Sequence, residues 1–178
     1  MKKILIVSSS LRKNSNSEKL ALSFADGAKS AGNEVEFISL RDKKIEFCRG
    51  CLACQKSLRC VIQDDANLIT QKMLTADILV FATPIYYYEM SGQLKTVLDR
   101  ANPLYPSDYA FREIYMLATA AEEGDEIFER ALNGLEGWIE CFEKAKLAGK
   151  IFVGGVTGAG EIKNHSALKK SFELGKSC

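Results

Sequence analysis

Four of the six cysteines lie close together in one short segment, at Cys48, Cys51, Cys54 and Cys60. Thiolates are redox-active and are soft ligands for transition metals. We expect a reducing compartment, where such spacing indicates thiolate chemistry or metal binding rather than a disulfide framework. Cys141 and Cys178 are expected to be ordinary structural thiols.

A hydroxyl-rich stretch follows the first apolar run. Residues 4–7 are aliphatic, and residues 8–17 (SSSLRKNSNS) carry five serines, two asparagines and Arg12. A phosphate would fit there, because the helix predicted next offers unpaired N–H groups and the positive end of a dipole. The same residue types are also ordinary helix caps and loop formers. Without glycine the stretch is neither a P-loop nor a dinucleotide fingerprint.

A third chemical feature is the run of Tyr86, Tyr87 and Tyr88 within residues 83–95 (TPIYYYEMSGQLK). Three consecutive tyrosines cannot all face the core, so some of this aromatic surface is available for a flat ring to stack on. A subunit interface is the alternative, and the two roles are compatible. Residues 119–124 (TAAEEG) are expected to form another wall of the same crevice.

Apolar runs alternate with helical periodicity along the chain. Strands are predicted at residues 2–7, 34–40, 77–82, 113–119 and 149–156, and helices at about 15–31, 64–74, 91–102, 125–146 and 166–174. This pattern predicts a flavodoxin-like α/β three-layer sandwich, with a five-stranded parallel sheet of order 2-1-3-4-5 and helices on both faces. Pro84 is expected to end the third strand. Ligands of such sheets bind at the carboxyl ends of strands one and three, which are followed by residues 8–17 and 84–92.

Length and charge limit the possible partners. The 178 residues suit a single domain spanning residues 1–178, with a cysteine-containing insertion at about residues 41–63. The net charge is +1, and the 24 basic and 23 acidic residues are spread along the chain without a basic stripe. We therefore expect neither nucleic acid nor a membrane surface as a partner. The first apolar run is too short for a signal peptide, and we expect a cytoplasmic location.

Two of these stretches resemble motifs of the NADPH-dependent FMN reductases. Residues 10–17 are similar to the phosphate motif S-x-R-x-x-S-N-S/T, and residues 84–87 with 91–95 and Asp99-Arg100 look like the loop that holds the flavin ring. The resemblance spans nearly the whole chain and implies FMN as cofactor and NAD(P)H as co-substrate. The residues implied to hold the phosphate are Ser10, Arg12, Ser15, Asn16 and Ser17. Those expected around the ring are Pro84, Ile85, Tyr86, Tyr87, Thr119, Ala120 and Gly124. One departure is that the usual Gly-Ser-Pro is Ser9-Ser10-Leu11 here.

The cysteine spacing is similar to that of the iron–sulfur flavoproteins, a branch of the same superfamily. That resemblance implies a [4Fe-4S] cluster held by Cys48, Cys51, Cys54 and Cys60, and closely spaced cysteines also bind the cubes of bacterial ferredoxins. Structural zinc is a weaker interpretation, because zinc usually takes two separated cysteine pairs. Free or disulfide-forming thiols are the remaining alternative.

We therefore expect an FMN-dependent oxidoreductase that uses NAD(P)H or a reduced electron carrier as donor and has no catalytic acid–base residue of its own, because the flavin carries the chemistry. Two mechanisms stay open, a two-electron reductase and a protein that couples FMN to the cluster. A non-enzymatic flavodoxin-like electron carrier or redox-sensing binding protein is the alternative, although such carriers are usually strongly acidic.

The resemblance implies a homodimer or homotetramer. Residues 154–160 are predicted to form a turn, and His165 to have a capping or surface role.

Overall fold

The computed structural model describes all 178 residues. The strands are β1 (Lys3–Ser8), β2 (Glu34–Ser39), β3 (Ile78–Tyr86), β4 (Glu89–Met90), β5 (Glu113–Thr119) and β6 (Lys146–Val153). The helices are α1 (Asn16–Ser30), α2 (Cys54–Ser57), α3 (Asp65–Thr75), α4 (Gly92–Arg100), α5 (Asp125–Ile139) and α6 (Ala167–Lys176). Short 3-10 turns lie at Asn102–Leu104 and Glu161–Asn164. None of the helices is long and apolar enough to cross a membrane.

Five parallel strands form the sheet in the order β2-β1-β3-β5-β6, which confirms the predicted flavodoxin-like topology. Successive side chains of a strand point to opposite faces, so Leu5 and Val7 of β1 enter one apolar core while Ile4 and Ile6 enter the other. Helices α1 and α6 cover the second core, and α3, α4 and α5 cover the first. The continuous apolar run of β1 therefore reflects burial on both faces.

The prediction that Pro84 ends the third strand is wrong. Strand β3 passes through Pro84, which is in register with Thr119 of β5, and continues to Tyr86. It then turns into β4, which pairs with it antiparallel. A proline removes only one backbone donor, and the hairpin supplies new partners beyond it.

The predicted boundaries near the fifth helix are also wrong. Helix α5 ends at Ile139 instead of residue 146, and β6 begins at Lys146 instead of residue 149. The intervening residues form tight turns, with the Phe142 N–H donating to the Ile139 carbonyl at 2.8 Å. Phe142 is buried against Trp138, with ring centroids 4.5 Å apart. Phe142 is buried at a spacing that fits a helix, and for this reason the sequence pattern extended the predicted helix too far. In the structure a turn, and not a helix, buries this side chain.

Helices α1 and α6 are in backbone contact through two glycines. A Cβ at Gly27 would overlap the carbonyl oxygen of Phe172, and one at Gly175 would overlap the carbonyl oxygen of Phe24. Between them, the Ser171 hydroxyl donates to the Leu20 carbonyl at 2.8 Å. His165, for which a capping or surface role was predicted, precedes α6, and its Nδ1 accepts the Ala167 N–H at 3.1 Å.

Substituting either glycine should separate these two helices. We expect Gly27→Ala or Gly175→Ala to lower the free energy of unfolding by about 1–3 kcal/mol, because the new methyl group meets backbone that cannot rotate away. Gly137→Ala in α5 is the matched control, since nothing lies within 4 Å of its Cβ position. The control should stabilise by about 0.5–1 kcal/mol. Urea denaturation measures all three, and equal effects at Gly27 and Gly137 would contradict the close packing.

Candidate functional site

A cleft of about 490 Å³ opens at the carboxyl ends of β1, β3 and β5. Ten of the twelve residues predicted to bind the cofactor line it: Ser10, Arg12, Ser15, Asn16, Ser17, Pro84, Ile85, Tyr86, Thr119 and Ala120. Tyr87 lines an adjoining cleft, whereas Gly124 lies outside both, immediately before α5 with a φ of 131°. Ala121, from the stretch expected to form another wall, also lines the main cleft. Val156 and Thr157 line it as well, although the sequence predicted only a turn there.

The hydroxyl-rich loop runs directly into the N-terminus of α1. Ser15 caps the helix, with its Oγ accepting the Glu18 N–H at 3.1 Å, so the capping role of this residue is real. Ser17 differs from it. Its side chain is 1% exposed, and its Oγ has no hydrogen-bond partner. A buried hydroxyl in the cleft wall, next to the unpaired N–H groups of a helix end, is a donor without an acceptor.

Asn16 fastens this loop to the loop after β6. Its Nδ2 donates to the carbonyls of Val156 (3.4 Å) and Gly158 (2.9 Å), and its Oδ1 accepts the N–H groups of Gly160 (3.1 Å) and Ile162 (3.2 Å). The amide is thus fully engaged, and the backbone N–H is the donor that Asn16 retains for a ligand. The predicted glycine-rich turn is consequently the outer wall of the cleft.

Arg12 reinforces the same wall. Its Nη1 donates to the Thr157 carbonyl at 2.6 Å, while its backbone N–H donates to the Ser10 hydroxyl at 3.4 Å. The guanidinium has five N–H donors, so others remain for an anion. Arg12 therefore both braces the wall and places positive charge at the mouth of the cleft.

Three buried hydroxyls join the ends of β1 and β3. The Ser91 Oγ donates to the Ser9 Oγ at 2.8 Å, the Ser9 Oγ donates to the Ala82 carbonyl at 3.2 Å, and the Ser91 N–H donates to the Thr83 Oγ1 at 3.0 Å. Ser91 also caps α4. Each of the three residues is 0% exposed. This network fixes the hydroxyl-rich loop relative to the tyrosine turn, so the two walls of the cleft are set together.

The tyrosines lie outside the core, as predicted. Tyr86 is 51% exposed, Tyr87 100% and Tyr88 40%. Tyr87 and Tyr88 form the β3–β4 turn with φ values of 50° and 65°. Both values lie in the left-handed region that such two-residue hairpin turns require, and glycine and asparagine reach this region more easily. The conformation costs roughly 1–3 kcal/mol per residue, and strain of this kind clusters at binding sites.

The second cleft, of about 540 Å³, adjoins the main one. Its apolar walls come from Ile85, Tyr88 and Ile127, and Glu122 supplies the charge. The Tyr88 Oη donates to a Glu122 carboxylate oxygen at 3.4 Å, and the Arg130 guanidinium lies 4.9 Å from the centroid of the Tyr88 ring. A planar molecule entering here would reach the main cleft past Ile85 and Ala120, which line both.

The four clustered cysteines are free thiols in a segment with little regular structure. Cys48 and Cys51 are exposed, Cys60 is half-buried, and Cys54 is buried at the start of α2. No group of three or more Cys, His, Asp or Glu side chains is arranged to hold a metal ion. Two of the sulfurs nevertheless have N–H partners. Asn102 Nδ2 lies 3.1 Å from the Cys54 Sγ, and the Gly50 N–H lies 3.5 Å from the Cys48 Sγ.

Arg100, which the resemblance placed with the loop that holds the flavin ring, lines neither cleft. It forms a buried ion pair at the base of the cysteine segment, and the sequence did not predict this pair. Arg100 pairs with Asp64, with 0% and 7% of their side chains exposed. Burial would raise the pKa of Asp64, but hydrogen bonds from Arg100 and from the Glu46 and Ala66 N–H groups outweigh it and lower that pKa. Burial would lower the pKa of Arg100, but its hydrogen bonds with Asp64 and the negative charge of that carboxylate outweigh burial and raise the pKa. Both groups stay charged.

A model of the family described as NADPH-dependent FMN reductase matches residues 2–141. The chain belongs to the NADPH-dependent FMN reductase family. Among similar proteins, an iron-sulfur flavoprotein of Methanocaldococcus jannaschii is 37% identical to this chain, and the match covers 57% of the chain and 53% of the flavoprotein. An iron-sulfur flavoprotein of Methanosarcina thermophila is 28% identical over 87% of the chain and 82% of its own length. The chain thus spans only about half of the first relative.

Solved structures agree with the fold expected of an FMN reductase. The NAD(P)H:quinone oxidoreductase of Methanothermobacter marburgensis superposes with a TM-score of 0.77 over 99% of the chain and 95% of its own length. Its sequence identity is 16%, so this likeness concerns the fold alone.

Removing the Asn16 amide should loosen one wall of the cleft. We expect Asn16→Ala to lower the free energy of unfolding by about 2–4 kcal/mol, because it leaves the N–H groups of Gly160 and Ile162 and the Val156 carbonyl without a partner and removes one of two donors to the Gly158 carbonyl. Hydrogen–deuterium exchange should quicken at the N–H groups of Gly160 and Ile162. The matched control is Asn67→Ala, whose amide bonds only the carbonyls of Cys60 and Ile62. Unchanged exchange at Gly160 in Asn16→Ala would contradict this role.

Proposed function

We propose that this protein is an FMN-dependent oxidoreductase that takes electrons from NAD(P)H or a reduced electron carrier. The observation that carries the proposal is the Ser17 hydroxyl, buried and without a partner at the N-terminus of α1. A monophosphate supplies the acceptor that this hydroxyl lacks, and a helix N-terminus favours its negative charge. The family and the exposed tyrosines support a flavin as the rest of the ligand.

The residues divide into two binding groups. For the phosphate, the proposed donors are the hydroxyls of Ser10 and Ser17, the first N–H groups of α1 and the Arg12 guanidinium. For the ring, the proposed contacts are Pro84, Ile85, Tyr86, Tyr87, Thr119 and Ala120. When bound, FMN supplies hydride and single-electron chemistry, so the chain needs no acid–base residue. What the chain contributes is a fixed anion site, an apolar wall for the ring and an adjoining cleft for the redox partner.

We further propose that Cys48, Cys51, Cys54 and Cys60 hold a [4Fe-4S] cluster. The chemistry of the donor set fits, because four free cysteine thiols are what such a cluster needs. The N–H groups directed at the Cys54 and Cys48 sulfurs suit thiolate ligands, since such hydrogen bonds tune clusters. The thiols are not gathered into a metal site in the structure, so binding requires residues 48–60 to draw together. When bound, the cluster supplies single-electron transfer.

Exposed apolar side chains support the proposed homodimer or homotetramer. Phe47 is 77% exposed, and Leu52, Leu58 and Val61 each exceed half. They lie in the cysteine segment, while Tyr87 in the β3–β4 turn is fully exposed. Association through these two regions would cover this surface and enclose the clefts.

The anion site is tested by FMN titration of the purified protein, followed by flavin fluorescence. We expect Ser17→Ala to weaken FMN binding roughly tenfold or more, because a hydrogen bond to a charged group is lost. Its stability without FMN should not fall, since the hydroxyl has no partner there. Ser8→Ala is the matched control, because the Ser8 Oγ is also buried and unpartnered but does not line the cleft. Wild-type protein that binds no FMN, or equal affinity in Ser17→Ala, contradicts the proposal.

Enzyme and cluster are tested separately. Steady NAD(P)H oxidation with a quinone acceptor distinguishes an oxidoreductase from a non-enzymatic carrier or redox-sensing protein.

For the cluster, iron and acid-labile sulfide of anaerobically prepared protein should approach about four of each per chain. Cys54→Ser should lower both, whereas Cys141→Ser, which changes an exposed thiol outside the segment, should not. Iron near zero in the wild type removes the cluster and leaves a two-electron reductase.

A further inference from the structure

The C-terminal end of α4 reaches into the base of the cysteine segment. The last residue of this helix, Arg100, forms a two-pronged ion pair with Asp64, with Nη1–Oδ2 and Nη2–Oδ1 distances of 2.6 and 2.9 Å. Parallel N–H···O bonds of this kind fix the orientation of both side chains as well as their distance. Neither the proposed flavin contacts nor the four thiols account for this pair.

The same two side chains bind the backbone at both ends of the cysteine segment, which comprises residues 47–61. Arg100 Nη1 donates to the Glu46 carbonyl at 2.7 Å, and Nη2 donates to the Ile62 carbonyl at 3.2 Å. Asp64 accepts the Glu46 N–H at 2.8 Å and the Ala66 N–H at the start of α3 at 3.0 Å. Residues 47–61, which include all four cysteines, are therefore a loop whose two ends meet at a single buried ion pair.

A further contact holds the middle of the loop. Asn102, two residues after Arg100, directs its Nδ2 at the Cys54 sulfur. At its other end α4 is capped by Ser91, which belongs to the hydroxyl network behind the main cleft. The helix has nine residues and is thus about 13 Å long. This one short helix therefore links the hydroxyl network behind the main cleft, at its N-terminal end, to the residues that hold the cysteine segment, at its C-terminal end.

Stability alone does not explain a buried ion pair at this position. Two charges lose their hydration on burial, and well-packed apolar residues of similar volume are often at least as stabilising. What a planar guanidinium adds is a fixed geometry toward several acceptors, which a lysine cannot reproduce. Arg100 meets three acceptor groups at once: the Asp64 carboxylate and the two carbonyls that flank the segment.

We propose that Arg100 is a positioning residue that, together with Asp64, clamps both ends of the cysteine segment to α4 and so sets where the four thiols lie relative to the flavin cleft. The consequence for iron binding rests on the proposed function, but the clamp itself does not. The segment offers its own probe, because trypsin can cleave after Arg49, Lys56 and Arg59, all within the loop.

The test compares FMN-loaded wild type, Arg100→Gln, Arg100→Lys and the control Lys95→Gln. Lys95 lies on the same helix in an exposed pair with Asp99, remote from the clamp. Limited trypsin digestion followed by mass spectrometry gives the cleavage rate at each site. We expect cleavage at Arg49, Lys56 and Arg59 to quicken about tenfold or more in Arg100→Gln, since hydrogen bonds to a charged group are lost. Arg100→Lys should lie between it and the wild type, and Lys95→Gln should match the wild type.

Two further readouts separate positioning from general destabilisation. Arg100→Gln should bind FMN with wild-type affinity but take up less iron and sulfide under anaerobic reconstitution, with partial rescue by Arg100→Lys. Wild-type cleavage rates within the segment in Arg100→Gln would overturn the proposal. The proposal would also be overturned if cleavage after Lys169 and Lys170 of α6 quickened equally in Arg100→Gln, because this would indicate global unfolding. If Arg100→Gln does not fold, Arg100→Lys decides, and wild-type rates there overturn the clamp. A wild type that binds FMN but no iron refutes the proposed cluster, while the digestion still decides the clamp.

Discussion

The hydrogen bonds that join Ser9, Thr83 and Ser91 hold the functional end of this molecule together. Parallel strands bring their carboxyl ends to one edge of the sheet, but this alone does not determine how the loops that leave them are placed. Here the loop after β1, the end of β3 and the first turn of α4 share one buried chain of hydroxyls. Hydrogen bonds in such dry surroundings are strong, and an unpaired member would be costly. The two walls of the main cleft therefore move as a unit.

The large-scale features could be predicted because they depend on regular patterns. Apolar runs and helical spacing were sufficient for the strand order and for helices on both faces, and the switch-point rule placed the cleft correctly. The hydroxyl-rich loop and the tyrosines could be brought together for the same reason. What local patterns cannot report is which atoms a side chain meets at long range. Asn16 was predicted to contact phosphate, yet its amide is engaged by residues some 140 positions further along the chain.

Long-range packing also explains the other differences. Phe142 fits a helical repeat, but it lies in a turn and packs against Tyr109 and Phe111, which come much earlier in the sequence. Pro84 looked like the end of a strand because the partner strand β4 has only two residues and carries almost no signal of its own. Asp64 and Arg100 are 36 positions apart, and nothing in their immediate neighbours shows that they meet. In each case the decisive partner lies far away in sequence or is too short to recognise.

The turn at Tyr87 and Tyr88 has a consequence for how this protein can change. Both residues hold a backbone conformation that a tyrosine adopts only at a cost. The ordinary preference of a two-residue hairpin would place asparagine and glycine there. The sequence Tyr-Tyr thus exchanges thermodynamic stability for aromatic surface at the edge of the clefts. Variants selected for heat resistance alone are expected to accumulate at this turn, and the more stable protein would be the one with a poorer surface for its ligands.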